Sequence, residues 1–143
     1  MVGGLSLKRY DPKAFEEDIL RWWFESGIYE KAKSTTGVRG KFYFLDGPPY
    51  VTASIHVGTA WNKIMKDVVL RYRRMRGYDV RDQPGFDMHG LPIEVMVEKL
   101  LGLKSKKDIE VIGVDRFVEE CRNYALEHMK ILTEQFKNLG VWM

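Results

Sequence analysis

Two short runs, "KFYFLD" (41–46) and "YDVRD" (78–82), flank a stretch of helical periodicity, and this strand–helix–strand order constrains the chain most. Between them the apolar pairs Ala60/Trp61, Ile64/Met65 and Val68/Val69 recur every four residues, with Tyr72 continuing the line. Strands joined through such a helix lie parallel and cross over with a right hand. The first run sits between turn signals and suits a buried strand. Pro48 and Pro49 forbid its extension. The wide apolar stripe of the helix, expected over 57–76, implies burial against the sheet. Lys63, Lys66, Arg71, Arg73, Arg74 and Arg76 then occupy the rest of its surface, which reads as a solvated face.

The remaining segments fit around this unit. Asp11-Pro12 reads as a helix cap followed by proline at the first helical position. That helix is expected to reach about Lys33, with Phe15, Ile19, Trp22 and Trp23 on one face. "KSTTGVRGK" is a glycine-bearing polar loop, as is "QPGFDMHGLP" after the second strand. A helix is expected over 93–101, and "KSKKD" and "GVD" read as linkers. Asp115 is placed as the cap of a long helix to Asn138. Its stripe is Val118, Cys121, Ala125, Met129, Leu132, Phe136 and Leu139, and Gly140 ends it. Val141-Trp142-Met143 reads as the start of a further strand, so the sheet is expected to be larger and the chain truncated. The fold class is α/β: the first half of a Rossmann-like nucleotide-binding fold, with short parallel strands, flanking helices and an N-terminal helix. Residues 1–40 form the N-terminal helical segment and loop, and 41–143 the nucleotide-binding part.

Composition narrows the setting. A chain of 143 residues with 45% hydrophobic and 30% charged residues can build one soluble domain with a core. A net charge of +3 is compatible with nucleotides without demanding them. One cysteine, Cys121, forms no internal disulfide and no cysteine zinc site, and fits a small core residue. The N-terminus lacks a signal peptide's apolar core, and no run approaches the ~20 apolar residues of a membrane span. Cytoplasm is the expected compartment, with no membrane partner. His56, His89 and His128 lie on three elements at no ligand spacing, so no protein-bound zinc is expected.

The chemistry concentrates in two loops that share one edge of the sheet. In an open α/β sheet, ligands bind beyond the carboxyl ends of the strands. The loop after 41–46 feeds a helix N-terminus, whose free amides and partial positive charge suit phosphate. Gly58 allows close approach of a flat base or sugar. His56 can donate to a phosphate oxygen as charge builds, and Thr59 adds a hydroxyl. The second loop carries Asp87, His89 and Glu94, and a carboxylate there can bind an ammonium group.

Together the stretches His56-Val57-Gly58-Thr59, "GPPY" (47–50), "NKIMKDVVLRYRRMRGYDV" (62–80) and "GFDMHGLPIE" (85–94) resemble the class I aminoacyl-tRNA synthetases, and within them the isoleucine-specific members. The family signature is His-Ile-Gly-His after the first strand. The resemblance runs from "YDPKAFEEDILRWWFESGIYEK" to "LGVWM". It implies activation of isoleucine with ATP and Mg²⁺, and transfer to tRNA(Ile). It places His56 near the α-phosphate, Gly58 under the adenosine, and Val57 and Thr59 in the same nucleotide site. Asp87 would bind the amino group of isoleucine. Gly47 and Pro48 would form part of its pocket, with Pro49, Tyr50 and His89 also assigned to substrate. Thr59 stands in place of the signature's second histidine, Ala53 where a glycine is usual, and Phe86 where tryptophan is frequent. The second family signature, Lys-Met-Ser-Lys-Ser, does not occur in the 143 residues. The resemblance therefore implies the N-terminal half of a catalytic domain, inactive or nearly so in isolation. The other function class is a non-catalytic nucleotide- or tRNA-binding module of the same origin, served by the basic helix.

Overall fold

The computed structural model describes residues 10–34 and 37–143. Residues 1–9 and 35–36, which belong to the expected N-terminal segment and its loop, lie outside the described residues. The two expected strands form, as β1 (Lys41–Leu45) and β2 (Asp79–Gln83), and pair in parallel from Lys41↔Asp79 to Leu45↔Gln83. They are the only sheet among the described residues. Between them runs α3 (Val57–Met75). The crossover unit is thus as the sequence indicates.

The N-terminal helix is divided. Asp11 caps only a short 3-10 turn, accepting from the Lys13 amide at 3.2 Å. Helix α1 (Glu16–Glu25) and helix α2 (Ile28–Ser34) follow, separated at Gly27, whose φ of 57° breaks the helical path. None of α1 is buried, and Trp22 is largely exposed.

Two further expectations about α3 and β1 are corrected. The strand alternates, with Phe42 and Phe44 half-buried and Tyr43 and Leu45 facing solvent, so it is open on one side rather than buried. The apolar stripe of α3 also faces outward: Trp61, Met65, Val68 and Tyr72 are exposed. The buried face is instead Lys63, Asp67, Leu70 and Arg74, spaced by four, three and four residues. Ion pairing decides the orientation. Asp46, just past β1, accepts from Lys63, and from Lys66 at 2.6 Å. Asp82 in β2 accepts from Arg74 and from the Tyr29 hydroxyl of α2. These partners turn the charged side of α3 toward the strands. Lys63, Lys66, Arg71 and Arg74 are therefore not a solvated face, whereas Arg76 is exposed.

Asp46 gives this arrangement a pH dependence. Burial alone would raise its carboxyl, but hydrogen bonds from Lys63 and Lys66 and their charges outweigh it, holding it below the ordinary 3.8. A carboxyl depressed on folding contributes stability that is complete above its unfolded value and lost as pH falls through the folded one. Urea unfolding is therefore expected to show a decline beginning near pH 3.8 that is shallower in Asp46→Asn.

The core sits under the loops rather than under the strands. It is built from Val51, Ile93, Val97, Phe117, Ala125, Leu132, Phe136 and Val141. Helix α4 (Leu91–Leu100) packs on α6 (Val114–Asn138), with α5 (Lys106–Ile112) against α6. The segment "KSKKD" is not a linker. Asp108 accepts from the amides of Lys104 and Ser105 at 2.7 and 2.9 Å and starts α5. Gly113, not Asp115, occupies the cap position of α6. The buried stripe includes Phe117 in place of Val118, which is exposed, as is Leu139. Gly140, at φ 72°, follows the helix in a Schellman arrangement: its amide donates to Lys137 O and that of Val141 to Phe136 O. Residues 141–143 form no strand. Val141 enters the core, and Trp142 packs edge-on to Trp23 at 5.1 Å under Arg71. The Trp142 amide donates to Asp67 at 2.8 Å.

Candidate active site

The site begins where β1 ends. Asp46 is held by the two lysines of α3, and Lys66 also donates to the Gly47 carbonyl at 3.3 Å. Pro48 and Pro49 end the ladder because proline has no amide to give. Pairing resumes beyond them. Pro49 can still accept, and it does so from the Asp87 amide at 2.9 Å, while the Val51 amide donates back to Asp87 O at 3.3 Å. Tyr50 and Asp87 form a parallel bridge. The two loops thus run side by side along one rim. Gly85 comes within ordinary contact of Pro48, with 3.5 Å between the Pro48 Cβ and the place a Gly85 Cβ would take.

Helix α6 braces both loops. Tyr124 donates its hydroxyl to Thr52 O at 2.8 Å, and Gln135 accepts from the Ile55 amide at 2.9 Å. Phe86 stacks on Phe136 with centroids 6.4 Å apart. These contacts fix the loops from behind without entering the cleft.

The cleft itself, about 290 Å³, is lined by Gly47, Pro49, His56, Gly58, Thr59, Asn62 and Lys63. His56 caps α3: its Nδ1 accepts from the amides of Gly58 and Thr59 at 3.0 and 3.3 Å. Those two amides are therefore engaged by the imidazole rather than free, which corrects the expectation of an open amide cradle at this helix start. Gly58 is exposed, with a side open to the cleft.

Residues 18–143 match the family described as tRNA synthetases class I (I, L, M and V). The chain belongs to the class I aminoacyl-tRNA synthetases. The isoleucine--tRNA ligases of Pyrococcus abyssi and Thermococcus kodakarensis are each 56% identical to it over 144 residues, covering 100% of this chain and 14% of the relative. That of Archaeoglobus fulgidus is 56% identical over 135 residues, covering 94% of this chain and 13% of its own length. The chain thus spans about one seventh of the length of these curated relatives, at 14%.

Within the synthetase family's expected site, the structure brings Gly47, Pro49, His56, Gly58 and Thr59 to one cleft. Val57 is exposed beside it. Asp87 and Tyr50 sit on the adjoining rim. His89 lies elsewhere, in a cavity of about 720 Å³ between the 83–90 loop and helices α4 to α6. Asp87 Oδ1 is buried and has no hydrogen-bond donor among the described residues. Sequence reasoning missed Asn62, Lys63 and Asp46. The signal was present in the spacing of Lys63, Asp67, Leu70 and Arg74, a largely charged helical face opposite one aspartate just past β1 and one within β2. The cleft lining contains no carboxylate, and Asp46 behind it is already taken by two lysines. The lining of the cleft therefore offers a divalent cation no carboxylate ligand. Among the described residues no group of three or more His, Cys, Asp or Glu could hold a metal, and no helix is long and apolar enough to cross a membrane.

Proposed function

We propose that the chain forms part of the catalytic site of an isoleucine--tRNA ligase, with residues 41–143 supplying the first half of the nucleotide-binding domain. The cleft at Gly47, His56, Gly58 and Thr59 receives the phosphates and adenosine of ATP with its Mg²⁺. The rim at Pro48, Tyr50 and Asp87 receives isoleucine, with Asp87 taking the ammonium group and Pro48 the apolar side chain. Val57, Pro49 and His89 belong to the surroundings of these subsites.

The observation that carries this reading is the buried Asp87 Oδ1 without a donor, on a rim that pairs with the His56 loop. A buried carboxylate oxygen lacking a donor is costly, and a substrate ammonium supplies what is missing. The chemistry needs no protein nucleophile. The isoleucine carboxylate attacks the α-phosphorus in line, pyrophosphate leaves, and the adenylate passes its isoleucyl group to a ribose hydroxyl of tRNA(Ile). Positioning and charge stabilisation supply the acceleration. His56 contributes a donor where negative charge grows, and Thr59 a hydroxyl. Discrimination against valine by one methylene is worth only about 1–3 kcal/mol.

The alternative of a tRNA-binding module on the basic helix has less support, because Lys63, Lys66, Arg71 and Arg74 are all paired to aspartates. The test uses a non-hydrolysable isoleucyl-adenylate analogue in calorimetry and isoleucine-dependent ATP–pyrophosphate exchange. The chain is expected to bind the analogue, His56→Ala to bind it more weakly, and exchange to be very slow without the Lys-Met-Ser-Lys-Ser signature. Equal binding by wild type and His56→Ala, or robust exchange by the 143-residue chain, overturns the assignment.

A further inference from the structure

A Cβ built on Gly58 falls 2.9 Å from His56 Cε1 and 3.1 Å from His56 Nδ1. The imidazole occupies the space that any other residue at 58 would fill. Its Nδ1 meanwhile accepts from two backbone amides, Gly58 and Thr59. A ring nitrogen that accepts carries no proton, and in a neutral imidazole the other nitrogen then does. Nε2, across the ring, makes no hydrogen bond among the described residues, and His56 lines the cleft.

We propose that Gly58 is a positioning residue for His56: its missing side chain admits the ring over the start of α3, where two amides hold Nδ1 unprotonated and leave the Nε2 hydrogen to the cleft. The reason for glycine is then internal to the protein, a ring of its own and not only the approach of a base. The use of that hydrogen as a donor to phosphate rests on the adenylate-site reading above, whereas the geometry does not. A second histidine provides an internal contrast. His128 Nδ1 lies 3.0 Å from the Tyr124 carbonyl, which can only accept, so that nitrogen must carry the proton.

The test is nuclear magnetic resonance of the ¹⁵N-labelled chain without nucleotide, in mildly alkaline buffer. Opposite tautomers are expected: hydrogen on Nε2 in His56 and on Nδ1 in His128. A nitrogen–nitrogen coupling across the Gly58 N–H···Nδ1 bond is expected in the wild type. Thr59→Ala, which keeps its amide, retains that coupling. Gly58→Ala loses it, with faster exchange of the Thr59 amide, while the tautomer of His128 is unchanged and reports that α6 is intact. A proton on His56 Nδ1, or a coupling that survives in Gly58→Ala, overturns the proposal. Titration with ATP separates the two levels. Expected spectra with no ATP binding by the wild type would refute the adenylate site and leave the positioning role standing. Absent coupling refutes the positioning role whatever ATP does.

Discussion

Asp82→Asn is expected to destabilise the chain by about 3–5 kcal/mol, the usual loss when one partner of a buried ion pair is removed. The carboxylate is 1% exposed and the Arg74 side chain 5% exposed. Neutralising Asp82 leaves that guanidinium without a counter-charge in a place water does not reach. It also gives the Tyr29 hydroxyl, which joins α2 to the strand, a neutral amide in place of a charged acceptor. Lys33, 3.0 Å from Asp82 but 45% exposed, adds little, because its charge is solvated either way. The measurement is urea unfolding, with a lower midpoint and an unchanged slope. Replacing both partners, as Arg74→Met with Asp82→Leu, is expected to recover most of the loss, since two apolar residues leave no stranded charge. A single substitution as harmful as the double one would show that the pair acts through packing alone.

Asp87→Asn is expected to weaken binding of the isoleucyl-adenylate analogue by about 30-fold or more, corresponding to the ~2–5 kcal/mol lost when a desolvated charge pair loses one member. Stability should move the other way. Asp87 Oδ1 is buried with no donor, so the folded chain without substrate carries an unrelieved cost that a neutral amide reduces. The variant should therefore unfold at the same or a higher urea concentration while binding poorly. Weakened binding accompanied by lost stability would instead mark the Asp87 side chain as structural, since the main-chain bridge to Tyr50 is the same in both variants. The two aspartates make a controlled comparison: one is held by cations of its own chain, and the other has an oxygen with no donor among the described residues.

Local signals in the sequence were sufficient for the crossover unit. The start of the first strand at 41, the second strand to within one residue (78–82 expected, Asp79–Gln83 found), the proline stop and the span of α3 follow from turn residues and periodicity, which act over a few residues. The juxtaposition of the two loops was legible for the same reason, since parallel strands bring their carboxyl ends to one edge. The rotation of α3 was not. Hydrophobicity alone points Trp61, Met65 and Val68 inward, yet the partners that decide the matter, Asp46 and Asp82, lie 17 and 8 residues from the cations they hold. Helix α5 was overlooked although Ser105 and Asp108 carry the spacing of a cap. At the site, His56 and Gly58 were found by position, but their relation to each other was not. That a histidine would accept from its own helix start, and that glycine two residues on makes room for it, depends on a side-chain rotamer no periodicity reveals.

The charged seam of α3 has a mechanical consequence. A helix seated on aliphatic side chains can roll by several degrees at little cost, because such contacts have no direction. One fastened by Lys63 to Asp46 near its start and by Arg74 to Asp82 near its end is keyed like a shaft at two points. His56 stands at the head of that shaft, so its bearing on the cleft is dictated by carboxylates that do not line it.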